Sequence, residues 1–127
     1  MAVIGTGVDL VEVARIAHLL ERHGARFKDR TYTAEEQAYC EACAEPAMHY
    51  AARFAAKEAV VKALGTGFAE GVSWAEVEVT RTPSGCPGVR LHGAAEARAG
   101  VMGICHWHLS LSHTREQAVA FVVAESR

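Results

Sequence analysis

The chain has no excess of positive charge, no long apolar run and no second close pair of cysteines, and each lack removes a class of function. Thirteen Lys and Arg against 15 Asp and Glu leave a net charge of −2, which is not the footprint of a general nucleic-acid binder. No apolar run approaches the ~20 residues needed to cross a bilayer. The N-terminus has neither the basic start nor the cleavage site of a secretory signal, so the cytoplasm is the expected compartment. Cys40 and Cys43 form one C-x-x-C, while Cys86 and Cys105 stand alone. A zinc site would have to recruit histidines such as His49, His106 or His108. The pair falls inside an expected helix, among alanines and without a βαβ context, so buried free thiols are a simpler reading than zinc or a redox pair. Repeats, linkers and low-complexity segments are also missing. With 127 residues, 50% apolar and 22% charged, one globular domain over 1–127 is expected, small enough that oligomerisation would help it.

What is present centres on Ala51–Gly67, AARFAAKEAVVKALGTG. The spacing predicts a helix that begins just after Pro46 and stops at Leu64, ended by Gly65 and Gly67. Ala52, Ala55, Ala56, Ala59 and Ala63 form a stripe along which another backbone can come close. A helix apolar nearly all round is a buried one, yet this one carries Arg53, Lys57, Glu58 and Lys62. Glu58 and Lys62 make a favourable i,i+4 pair; Arg53 and Lys57 make an unfavourable one, by roughly 0.2–0.5 kcal/mol. Two neighbouring cations suit an anion seated between them, and Glu58 could hold a metal ion. The plainer alternative is that all four charges reach solvent at the helix edge.

The N-terminal stretch Ala2–Val11 reads as a strand in which Gly5, Gly7 and Asp9 share a face. Two glycines facing one way admit a close neighbour, and an acid on that bare face is unusual in a strand. The G-x-G is not a dinucleotide fingerprint, because no third glycine follows at the required spacing. From Val13 to about His23 the period becomes helical, with Val13, Ile16, Ala17 and Leu20 inward and Arg15, His18 and Arg22 opposite. Arg26 joins them if the helix continues past Gly24. Residues 13–30 hold five Lys/Arg and two Asp/Glu, a local +3 that leaves −5 for the rest. A basic helical face of this kind suits an acidic protein partner, with Leu19 at its border as an apolar contact.

Thr33-Ala-Glu-Glu36 reads as a capping box opening a helix to about Ala44, which gives Glu36 a sufficient structural role. Trp74–Thr82 alternates like a strand. Pro83–Gly88 is a turn, Val89–His92 a return strand, Gly93–Gly103 a short helix. His106–His113 alternates again, and Ala118–Ala124, apolar on both faces, reads as a central strand. The order of elements predicts an α+β fold, an antiparallel sheet packed against a long central helix. His113, at a strand exit, suits a phosphate donor, a general base or a plain turn residue.

Three separated pieces, GTGVDLVEVARI at Gly5–Ile16, RFAAKEAVVKALGTG at Arg53–Gly67 and SLSHTREQAVAFVVAE at Ser110–Glu125, together resemble the holo-(acyl-carrier-protein) synthase family, the small single-domain type of 4′-phosphopantetheinyl transferase. The resemblance implies a Mg²⁺-dependent transfer of phosphopantetheine from coenzyme A to a serine of an apo acyl carrier protein, with release of adenosine 3′,5′-bisphosphate. It implies Asp9 and Glu58 as metal ligands, Lys62 as a catalytic cation, and Arg53, Lys57 and Lys62 as contacts of the coenzyme A phosphates. Gly65, Thr66, Gly67, Pro87, Ser112 and His113 fall where the family lines its nucleotide pocket. Carrier docking maps to Arg15, Leu19, Arg22 and Arg26. Trimers are implied, with sites between subunits where the first motif meets the central helix. Thr114 stands where some relatives have an acid, so an acid–base role there is unsupported, and the loop from Glu41 to Met48 is assigned nothing. The competing expectations are a non-catalytic anion-binding oligomer and a zinc-stabilised interaction domain.

Overall fold

The structure, a computed structural model, describes residues 1–68 and 71–127. Strand β1 (Val3–Glu12) opens the chain and passes directly into helix α1 (Val13–His23). Gly24, at φ 50°, ends α1 and starts a separate short helix α2 (Ala25–Thr31), so the basic segment is broken there and Arg26 lies on the second piece. Positive φ is the reason the break falls on a glycine. Helix α3 (Ala34–Glu41) begins at the expected capping box: the Glu36 N–H donates to Thr33 Oγ1 at 3.2 Å and the Thr33 N–H donates to Glu36 Oε1 at 2.8 Å. Helix α4 (Pro46–Leu64) has Pro46 in its first turn and a left-handed Gly65 at its end, the limits the sequence predicts.

After α4, Trp74–Glu76 forms a 3₁₀ turn ahead of strand β2 (Val77–Arg81). The expected strand thus starts three residues late, because Glu76 folds back: its carboxylate accepts the Ser73 N–H at 3.0 Å and the Ala94 N–H at 3.2 Å. Strand β3 (Pro87–Leu91), helix α5 (Gly93–Met102), strand β4 (Ile104–His113) and strand β5 (Gln117–Ser126) complete the chain. β1, β5 and β4 form an antiparallel sheet with β5 in the middle; β2 and β3 form a second, two-stranded one.

Helix α4 lies across the inner face of the larger sheet, and the fit is made by small residues. A Cβ on Gly5 would come within 2.6 Å of the Ala63 carbonyl oxygen, and one on Gly7 within 2.7 Å of the Ala59 carbonyl carbon. The glycine face and the alanine stripe, two separate sequence features, are thus the two halves of one contact. β5 is central as expected, but not because both its faces are covered. Ala118, Ala120, Val122 and Ala124 are buried toward α4, whereas Phe121 on the outer face is 46% exposed beside Val8 (53%) and Leu10 (60%) of β1. Among the described residues no helix is long and apolar enough to cross a membrane.

Candidate active site

The close packing of β1 on α4 carries Asp9, two residues beyond Gly7 on the same face, to the exposed edge of the helix. There the Lys62 Nζ donates to Asp9 Oδ1 at 3.2 Å and to the Val8 carbonyl at 2.9 Å. Glu58 stands one turn before Lys62 and is half-buried. Burial pushes its carboxyl above the usual carboxylate range, and the Asp9 charge pushes it further; Lys62 and Arg15 pull the other way. A carboxylate whose ionisation is disfavoured by burial and by a neighbouring carboxylate is one a cation would relieve. The first motif and the central helix therefore meet within one chain.

The donor set fits a hard divalent ion of the magnesium type. Such an ion takes oxygens, and is held by one or two carboxylates with water and substrate phosphates completing its shell. Among the described residues no group of three or more His, Cys, Asp or Glu could hold a metal unaided. The described residues thus gather no ready-made zinc cluster around Cys40 and Cys43. Cys40 is buried in the core, Cys43 points its thiol at the Tyr39 carbonyl, and all four cysteines are free. Burial pushes the Cys40 thiol up to about 12, which makes it inert.

Arg53, on a different side of α4, is 1% exposed. Its guanidinium stacks over the Tyr39 ring at 4.2 Å, and Arg81 covers the same ring at 4.9 Å. Tyr39 in turn meets the His49 ring, whose other neighbour is the His113 ring at 5.5 Å. Burial lowers the His49 pKa, with the surrounding Arg53, His113 and Arg81 adding to the effect. Two buried side-chain polar atoms have no partner among the described residues, Arg53 Nε and Thr66 Oγ1, and both belong to the expected coenzyme A set. Gly65 and Gly67 flank Thr66 with φ of 74° and 64°. Pro87 pairs with Arg81 across the β2–β3 ladder, which places that turn at the edge of the cluster. Ser112 is exposed next to His113 at the end of β4.

Lys57 is not where a phosphate could reach it. It is fully buried, and its ammonium donates to Glu36 Oε1 at 2.8 Å, to the Trp74 carbonyl at 3.1 Å and to the Val77 carbonyl. An ammonium has three N–H donors, and all are taken. The expected phosphate contact at Lys57 is therefore corrected: the anion beside this lysine is Glu36, a residue of the same chain.

Apart from the Asp9–Lys62 edge, a groove of about 800 Å³ lies between α1, α2, α4 and the 3₁₀ turn. Arg15, Leu19 and Arg26 line it, with Phe27, Arg30, Phe54 and Trp74 besides. Arg15 sits over the Phe54 ring at 5.3 Å. Arg22 is exposed on α1 but outside the groove lining. The sequence offered a signal for Arg30, in the basic run, and for Phe54, in the central motif. Nothing local marked Trp74 or Arg81, and His49 was marked only as a histidine that a zinc site could recruit.

Residues 5–122 match the model of the 4′-phosphopantetheinyl transferase superfamily. A relative described as holo-[acyl-carrier-protein] synthase, from Koribacter versatilis, is 49% identical over 123 residues, covering 97% of this chain and 98% of its own. The crystal structure of holo-[acyl-carrier-protein] synthase from Neisseria meningitidis superposes with a TM-score of 0.87 at 35% identity, over 98% and 99% of the two chains. That of the Helicobacter pylori enzyme, in complex with coenzyme A, gives 0.84 at 28% identity, over 94% and 99%. The likeness runs end to end in sequence and in fold, and the chain belongs to the 4′-phosphopantetheinyl transferase superfamily, among its holo-[acyl-carrier-protein] synthases.

Proposed function

We propose that the chain transfers the 4′-phosphopantetheine arm of coenzyme A to a serine hydroxyl of an apo acyl carrier protein, with Mg²⁺ and with release of adenosine 3′,5′-bisphosphate. The observation that carries this reading is the meeting of Asp9, Glu58 and Lys62 at one edge of α4, beside a basic, apolar-floored groove. The new bond joins the serine oxygen to the phosphorus nearer the pantetheine, and the P–O–P bridge breaks. Such displacements need positioning and charge neutralisation more than covalent catalysis. Mg²⁺ held by Asp9 and Glu58 would supply Lewis-acid neutralisation of the pyrophosphate. Lys62 adds a positive charge at the same oxygens. Glu58 also has a carboxylate oxygen suited to take the serine proton.

His113 and Arg81, exposed beside the half-buried His49, are the groups suited to the remaining phosphate of coenzyme A, with Arg53 adding positive charge from beneath the Tyr39 ring. Thr66 Oγ1, between Gly65 and Gly67, is a donor in search of a partner. The carrier enters along Arg15, Leu19 and Arg26, with Arg22 at the outer margin; a groove with several guanidiniums over aromatic walls suits an acidic surface that carries an apolar side chain. The uncovered outer face of β1 and β5, with Val8, Leu10 and Phe121 side by side across the ladder, supports a homotrimer in which copies of this chain cover one another's sheets. The strands of that face also carry Asp9, so a neighbouring copy would stand at the margin of the site.

The test is to incubate the purified chain with apo carrier protein, coenzyme A and Mg²⁺ and weigh the carrier by mass spectrometry. The expected result is a carrier heavier by one phosphopantetheine, with no gain when a chelator replaces Mg²⁺. A carrier modified equally well under chelation would remove the metal from the mechanism. An unchanged carrier would remove the activity and favour a binding protein that uses the same anion sites.

A further inference from the structure

The buried charge pair at the centre of the molecule lines none of the sites described above, yet one of its hydrogen bonds ends on the backbone of a groove residue, Trp74. The Lys57 ammonium holds the carbonyl of Trp74 at 3.1 Å and that of Val77, while Glu36 Oε1 takes its third proton. Glu36 Oε2 accepts the Val79 N–H at 2.8 Å. One acid and one base thus fasten α3, α4, the 3₁₀ turn and β2 to each other. The side chain of the residue so gripped is the groove wall. Trp74 stacks on Phe54 at 4.6 Å and on Phe68 at 3.8 Å, nearly parallel to both. Phe54 carries Arg15 over its ring and lies one turn before Glu58 on α4.

We propose that Lys57 and Glu36 are positioning residues for carrier capture: they hold the Trp74–Phe54 stack so that the groove is already formed when the carrier arrives. The physical ground is preorganisation. A wall that must be ordered on binding takes free energy from the contact, whereas one held beforehand does not. A carbonyl gripped by a buried ammonium cannot turn outward without leaving one of that ammonium's N–H donors buried and unsatisfied, so the turn has one stable seat. Lys57 therefore acts on the reaction through Trp74, and not through any phosphate.

The inference rests on the carrier entering this groove, and the experiment separates the two. The double variant E36Q/K57M removes both charges together, which a fold tolerates better than the loss of one. With this variant folded by circular dichroism, the carrier KM should rise about tenfold or more, with kcat at saturating carrier and coenzyme A affinity within about a factor of two of the parent, the signature of lost uniform binding. E36D keeps both charges and shortens the latch by one methylene; it should give a smaller rise in carrier KM and stands in if the double variant does not fold. R15E reports on the groove alone and should also raise the carrier KM. A parental carrier KM in a folded latch variant, with R15E impaired, overturns the latch and leaves the groove standing. A parental value in R15E as well removes the groove as the carrier's seat, and the latch with it. A fall in coenzyme A affinity with an unchanged carrier KM would make Lys57 a phosphate contact after all.

Discussion

Replacing Glu58 with Gln should lower kcat by about 10²–10⁴-fold and leave the folded protein at least as stable as before. The two halves of that expectation have one cause. Glu58 is half-buried and faces Asp9, and both circumstances disfavour its ionised form. The neutral amide keeps the shape and removes the charge that the fold resists. It also removes the negative oxygen offered to a cation and the basic oxygen offered to the serine. The pH dependence has a definite sign. The folded chain holds the Glu58 proton more tightly than the unfolded chain does. The stability tied to this group is therefore fully present below its unfolded pKa and lost as pH rises through the higher folded value. In E58Q that decline should be absent from thermal melts taken across the mildly acidic range. Transfer that proceeds at the parental rate in E58Q would take Glu58 out of the chemistry.

Gly7→Ala should be the most damaging single-methyl change in the chain. The added carbon would overlap the Ala59 carbonyl, whose carbon would lie only 2.7 Å away. Neither side can yield cheaply, since both are backbone: β1 is held along its length by β5, and the carbonyl belongs to the middle of α4. Overpacking costs about 1–3 kcal/mol in ordinary cores, where side chains can shift, and backbone against backbone belongs at or beyond the top of that range. Activity should fall further than stability, because pushing β1 off the helix moves Asp9 away from Glu58 and Lys62. Thermal melts and transfer assays on the same preparation check both. A G7A variant with the parent's melting temperature and rate would mean that β1 does not press on α4 as described.

What the sequence made legible was what local rules decide. The limits of α4 follow from Pro46 and Gly65, the start of α3 from Thr33 and Glu36, and the shared face of Gly5, Gly7 and Asp9 from the period of a strand. Partners brought together by the fold were not legible. Arg53 and Lys57, four apart, looked like a pair awaiting one external anion. The fold separates them, giving Lys57 to Glu36 twenty-one residues away and laying Arg53 on Tyr39 with a donor to spare. Glu36 seemed fully occupied by its capping box, but a carboxylate has capacity for several donors, and this one also takes Lys57 and the Val79 N–H. Trp74–Glu76 alternates like a strand and is a 3₁₀ turn because Glu76 finds backbone donors on both sides of it. The Trp74 side of the groove wall and the joining of His49 to Arg81 were not legible for the same reason: their members lie on segments that only the tertiary packing joins.

The central claim is that one chain, by pressing a glycine strand onto an alanine helix, builds a two-carboxylate seat for a divalent ion. Binding of Mn²⁺ as a paramagnetic substitute for Mg²⁺, measured by electron paramagnetic resonance with coenzyme A present, tests it most directly. The parent should bind one ion per chain, and D9N and E58Q should each lose that binding while still folding. Parental Mn²⁺ binding in both variants would contradict the claim.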